Sequence, residues 1–149
     1  MIFEHSMGWN TARHDIGRYS NLFAPLTFWF SIFIIVRNEK RKLGTLSFGN
    51  GWKAGVIATL VYAVGFTLLI AIYQKLINPE YYETLKVFML HKLETQHASQ
   101  EQIDSAMKEI ETSYNGSATS YLLLFVFTLV WGVLLSAIAA SIYKTKKPV

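Results

Sequence analysis

The chain has 149 residues, 52% of them hydrophobic and 16% charged, against roughly 25% charged in soluble domains. That length allows one domain at most, and the absence of cysteine excludes disulfide, iron–sulfur and thiolate chemistry. The net charge is +4, and its placement carries more information than its sum.

Residues 1–20 are polar and balanced, with Arg13 and Arg18 against Glu4 and Asp15. They lack a basic stretch followed by an apolar run and a small-residue cleavage site, so no cleavable signal is expected. An uncharged apolar run of 15 residues follows, Leu22–Val36. A helix rises about 1.5 Å per residue and the hydrocarbon core is about 30 Å thick, so this run is short for a span. Tyr19, Ser20 and Asn21 extend it without adding charge, Arg37 snorkels outward, and Pro25 is tolerated near a helix start. Residues 21–37 are expected to form the first transmembrane helix.

A basic loop, 38–52, comes next, flanked by further cations. Arg37, Lys40, Arg41, Lys42 and Lys53 outnumber Glu39. Gly44 to Gly51 has the glycine spacing of a phosphate loop, but Asn50 stands where lysine is needed and no strand precedes it. It reads as a turn in which glycines allow positive φ, followed by Trp52 and Lys53 as an interfacial anchor. Ala54–Tyr73 is an uncharged run of 20 residues, expected as the second span, 53–75.

Residues 76–118 are too patterned for a plain loop. Asn78-Pro79-Glu80 reads as a helix start, with Asn78 as N-cap and Pro79 in the first position. Tyr81, Leu85, Phe88 and Met89 then recur at helical spacing. Ser99 and Gln102 match a capping box, followed by Ile103, Ala106, Met107 and Ile110, and Asn115-Gly116 reads as a turn. The spacing predicts an αα-hairpin over roughly 79–96 and 100–113, whose two apolar stripes either pack on each other or lie flat on the outer leaflet, membrane docking being preferred for the first helix. The third span, 119–143, contains the 23-residue run Tyr121–Tyr143, and the tail 144–149 carries Lys144, Lys146 and Lys147.

Lysine and arginine are retained on the cytoplasmic side of a membrane. The basic loop and the tail therefore face the cytoplasm. The segment 75–119, with four lysines and seven acids, faces outward together with residues 1–20. An N-terminal tail that crosses without a preceding helix suggests another helix upstream, of which Met1-Ile2-Phe3 would be the stub; the alternative of equal weight is an N-out three-helix protein, since short, weakly charged tails do translocate. The fold class expected is an all-α membrane protein: three transmembrane helices, a fourth N-terminal one lacking, and an extracytoplasmic amphipathic helical hairpin.

Small residues recur four apart in two spans: Gly55, Thr59, Ala63, Thr67 and Ala71 in the second, Gly132, Ser136 and Ala140 in the third. Small residues let helix backbones approach in lipid. Packing of the second span on the third is the preferred reading, and a dimer face the alternative. No Asp, Glu, Lys, Arg or His lies in a span, which argues against ion pathways, proton relays and intramembrane proteolysis. His5, His14, His91 and His97 have no i, i+3 or i, i+4 pairing; Glu4, His5, His14 and Asp15 form the best, weak, metal candidate. Arg37 to Lys42 would contact anionic lipid heads at about 1 kcal/mol per basic residue near the surface. Asn115-Gly116-Ser117 matches a glycosylation acceptor.

Several stretches resemble a family of small bacterial membrane proteins known as domain of unknown function 4199. They are Arg37-Asn38-Glu39-Lys40 to Gly44-Thr45-Leu46-Ser47-Phe48-Gly49, Ala54-Gly55, Ile77-Asn78-Pro79-Glu80-Tyr81, Glu4 through Gly8-Trp9, and the final span from Gly132 to Ser136 with its lysine-rich end. The resemblance covers nearly the whole chain. It implies the bacterial inner membrane and four spans in most members, of which this chain lacks the first. It implies no activity.

The expected function is that of a non-enzymatic structural or accessory membrane component without catalytic, cofactor or metal-binding residues. Its partners would be the bilayer, anionic head groups and a second copy or another membrane protein, with no nucleic acid. One alternative is a subunit of an oligomeric transporter or channel, its path lined by Thr59, Thr67 or Ser136. The other is a lipid-acting enzyme, for which His91, Glu94 and His97 are the one polar cluster.

Overall fold

Two uncharged runs and the residues flanking them become the two longest helices of the chain. The structure, a computed structural model, describes residues 2–9, 14–20 and 22–145. Among them all regular structure is helical, in the order α1 (Ile2–Ser6), α2 (His14–Ser20), α3 (Phe23–Leu43), α4 (Phe48–Ile72), a π-helical turn Tyr73–Ile77, α5 (Tyr81–Thr95), α6 (Gln100–Tyr114) and α7 (Ala118–Tyr143).

The chain divides into two compact units, one of residues 1–22 and 67–124, the other of residues 23–66 and 125–149. In the second unit α3 contributes Phe28, Ile32 and Val36, four apart and almost wholly buried. They form a core with Leu46 and Ala139, against which Phe33, Tyr62, Leu135 and Tyr143 pack. The Phe28 ring stacks on Tyr62 at 4.0 Å between centroids. Pro25 is the third residue of α3, where a missing N–H removes no helical bond. Thr27 and Ser31 donate their hydroxyls to carbonyls one turn back, Phe23 and Thr27, so neither needs a solvent partner.

The expected extension of the first span through Tyr19 and Ser20 does not occur. Those residues belong to α2, and the Leu22 N–H closes a turn on the Tyr19 carbonyl before α3 begins (Asn21 lies outside the described residues). α3 extends the other way, through the charged Arg37–Leu43. The loop shrinks accordingly to Gly44–Ser47, with Gly44 at φ +71° as the one loop glycine that needs the left-handed region. Gly49 and Gly51, expected in the turn, lie inside α4, as do Trp52 and Lys53. Ser47 caps that helix by accepting from the Asn50 N–H at 3.2 Å.

Among the described residues two helices are long and apolar enough to cross a membrane, Phe48–Ile77 with 30 residues and Ala118–Tyr143 with 26. In each, 17% of the most apolar stretch is buried, whereas the core helix of a soluble protein is mostly buried. Leu68, Leu69, Phe127 and Leu122 point their side chains outward. α3 has the length, but its last third is charged.

In the first unit α5 and α6 pack on each other as a hairpin. Tyr81, Leu85, Phe88 and Met89 are half-buried; of the opposing stripe Ile110 is buried and Ile103, Ala106 and Met107 half-buried. The capping box forms as its spacing predicts: Gln102 N–H to Ser99 Oγ and Ser99 N–H to the Gln102 amide oxygen. α5 ends with His97 at φ 55°, the Ala98 N–H reaching back to Leu93 O and the His97 N–H to Glu94 O, which is a Schellman arrangement. Asn78 does not cap α5. Glu80 holds that position without a side-chain bond, and Asn78 closes the π turn instead, its N–H on the Tyr73 carbonyl at 2.8 Å.

Candidate functional site

The small-residue stripe of α4 is the most buried face of that helix: Gly51, Gly55, Thr59 and Ala63 are its buried residues. Gly132, Ser136, Ala139 and Ala140 are buried on α7. The two rows meet. A Cβ added to Gly55 would stand 2.6 Å from Ser136 Oγ and 3.2 Å from Ser136 Cα. One on Gly51 would stand 3.2 Å from the Ala140 Cβ, and one on Gly132 would run into the Thr59 side chain. Backbones that close leave no room for a Cβ at Gly55 and Gly132, and admit one at Gly51 only if a neighbour gives way slightly. Ser136 donates to the Gly132 carbonyl at 2.6 Å, so its hydroxyl is satisfied on its own helix. Thr59 is fully buried and its hydroxyl has no hydrogen-bond partner among the described residues. Thr67, in the other unit, is half-buried and also leaves its Oγ without one.

The basic residues are mostly exposed. Arg37, Arg41, Lys42, Lys53 and Lys144 are exposed, Lys40 is half-buried, and Trp52 exposes 41% of its surface; Lys146 and Lys147 lie outside the described residues. The loop and the tail are joined. Leu46 N–H donates to Thr145 Oγ1, and Thr145 N–H donates to the Leu46 carbonyl, each at 2.8 Å.

In the other unit an aromatic and polar cluster ties α1 and α2 to α5 and to the π turn. His5 meets Tyr73 edge-on at 6.2 Å, and Tyr73 meets Tyr81 at 6.1 Å. Asn78 Nδ2 donates to the Tyr73 hydroxyl at 3.2 Å. His14, only 5% exposed, packs against Tyr81 and Phe88. Its Nε2 lies 3.1 Å from Thr84 Oγ1, whose own proton goes to the Tyr81 carbonyl, so the imidazole is the donor and the threonine oxygen accepts. Burial raises the Tyr81 phenol well above the usual tyrosine range, and the neighbouring Tyr114, Tyr73 and Glu4 push the same way. These contacts dock the N-terminal segment on α5 and the π turn, and His5 Nδ1 is buried there without a hydrogen-bond partner among the described residues.

Glu4, His5, His14 and Asp15 do not gather as ligands, and among the described residues no group of three His, Asp or Glu could hold a metal. His97 is occupied in ending α5, and His91 lines a shallow groove with Asp15, Tyr19 and Lys92. The Tyr73–Asn78–Tyr81 arrangement escapes sequence reading because its organising element is a π turn. The signal available is Tyr73 and Asn78 five residues apart, just where the apolar run ends.

No curated protein and no solved structure matches the chain. The family described as protein of unknown function (DUF4199) matches residues 1–145. A match over nearly the full length, on a chain with the motifs described above, shows that this protein belongs to the DUF4199 family.

Proposed function

We propose that the protein is a three-span component of the bacterial inner membrane, structural or accessory rather than enzymatic. Its spans are α3, the helix Phe48–Ile77 and α7; the α5–α6 hairpin and residues 1–20 face outward, and the basic loop and tail face the cytoplasm. The meeting of Gly55 with Ser136 and of Gly132 with Thr59 carries the reading. Without a hydrophobic driving force between helices in lipid, association rests on such close packing. Phe28, Ile32 and Val36 supply α3 with a face to add to that pair. The Leu46–Thr145 hydrogen bonds support placing the loop and the tail on the same side of the membrane, and their basic residues make that side the cytoplasmic one in this reading. Contacts with anionic head groups by Arg37, Lys40, Arg41 and Lys42 belong to the same reading.

The transporter alternative asks Thr59 and Ser136 to face a pore. The burial of Thr59 and the bond from Ser136 to its own helix favour packing over a path. A natural chain without cysteine makes the topology directly testable. In intact cells, an impermeant maleimide should label Gln96→Cys, and label Lys42→Cys and Lys144→Cys only after permeabilisation. Labelling of Lys42→Cys in intact cells would reverse the orientation. Solute flux through liposomes that Thr67→Leu abolishes would replace the accessory role with transport.

A further inference from the structure

Where the helix Phe48–Ile77 ends and α7 begins, a small pocket of about 160 Å³ opens between Lys75, Tyr82, Tyr114 and Gly116. Among the described residues no carboxylate lines it, and Lys75 is the charged residue in its wall. Gly116 stands at φ +67° in a turn held by Ser117 N–H on Asn115 Oδ1. Its missing side chain leaves a point around which three polar tips converge: Tyr121 hydroxyl at 3.3 Å, and Gln74 Oε1 and Lys75 Nζ each at 3.7 Å from where a Cβ would be. Two of these tips, the Tyr121 hydroxyl and Gln74 Oε1, are buried and have no hydrogen-bond partner among the described residues. Buried polar atoms without partners are uncommon, because desolvation is then uncompensated, and each asks for a ligand or an ordered solvent molecule.

We propose that this pocket binds a phosphate ester. The lysine ammonium supplies the counter-charge as a point cation. The Tyr121 phenol donates a hydrogen bond to a phosphate oxygen. Turning the Gln74 amide by half a turn brings its N–H group to the place its oxygen occupies, adding a second donor. The volume suits one tetrahedral group and excludes a nucleotide. Tyr82 and Tyr114 form walls of the kind that settles at head-group depth. The phosphate can come from a phospholipid of the outer leaflet or from solution. The lipid source rests on the membrane topology proposed above.

The test uses the full chain in dodecyl maltoside, which carries no phosphate, with calorimetric titration of dihexanoyl phosphatidylglycerol, inorganic phosphate and phosphate-free dihexanoylglycerol. A phosphate-bearing probe should bind saturably and dihexanoylglycerol should not. Lys75→Gln should weaken binding roughly tenfold and Tyr121→Phe about threefold or more, as loss of a charge-assisted and of a neutral hydrogen bond. Lys92→Gln, outside the pocket, should leave it unchanged. Binding of the lipid alone assigns the head group; equal binding of inorganic phosphate, with the same dependence on Lys75, assigns the free anion. No saturable binding of either, or binding that both pocket variants leave intact, overturns the proposal. Tyr121→Phe keeps the ring, so it reads the pocket even where Lys75→Gln fails to fold. Resistance of the same proteins to alkaline carbonate extraction tests the membrane reading separately.

Discussion

Gly55 and Ser136 approach at backbone distance: a methyl group on the glycine would lie 2.6 Å from the serine hydroxyl and 2.7 Å from its Cβ. The hydroxyl can rotate away but the Cβ is fixed to the backbone, so the helices themselves must part to admit the methyl group. Gly55→Ala should therefore destabilise the protein by about 1–3 kcal/mol, the usual cost of overpacking. Gly65→Ala is the control, because nothing lies within 4 Å of its added Cβ and α4 should gain up to about 1 kcal/mol from the better helix former. Unfolding in detergent, followed by circular dichroism, compares the two; equal effects would remove the close approach from the account.

The joint between loop and tail is equally specific. Leu46 is 1% exposed, and Thr145 accepts its N–H through a side-chain oxygen. Thr145→Val should leave that buried donor unpaired at a cost of about 1–3 kcal/mol. Hydrogen exchange should show faster opening of residues 44–47 in the variant, while the exchange of α6 stays as it was.

His97 carries a positive φ that glycine would adopt freely. Its helix-ending bonds are made by the backbone, so the imidazole is dispensable there. His97→Gly should raise stability by roughly 1 kcal/mol, the lower end of the cost of a left-handed conformation for an L residue. The melting temperature checks this, and His97→Ala should give no comparable gain.

The Tyr81 phenol loses its proton later than an ordinary tyrosine. A folded-state value raised above the unfolded one, about 10 for tyrosine, favours the protonated form in the fold. The associated stability is fully present below the ordinary phenol value and is lost as pH rises from there toward the raised one. In a titration followed by phenolate absorbance, Tyr81 should ionise late, and Tyr81→Phe should reduce the late-ionising amplitude by one tyrosine.

What was legible in the sequence was local. Ser99 and Gln102 form their capping box because both partners lie within one turn, and the small residues of α4 and α7 mark the buried faces because burial follows helical spacing. Asn78 is not the N-cap that its sequence suggests. Asn-Pro-Glu satisfies the local rule for a helix start, yet the Tyr73 hydroxyl and carbonyl compete for the same asparagine and win it. The glycines at 49 and 51 mislead in the same way, since turn propensity is outweighed by the close packing that Gly51 permits against Ala140. The Leu46–Thr145 joint links residues 99 apart, and no spacing rule reaches that far.

The π turn at Tyr73–Ile77 has a consequence for register. A bond that spans five residues instead of four takes up one residue more than an α-helical turn does. Side chains beyond it are stepped by about 100° from the positions an unbroken helix would give them. The chain in effect carries a one-residue insertion absorbed within a single turn. Stretches before and after that turn can each keep their own periodicity, so a hydrophobic stripe traced through residue 73 at a constant spacing describes neither.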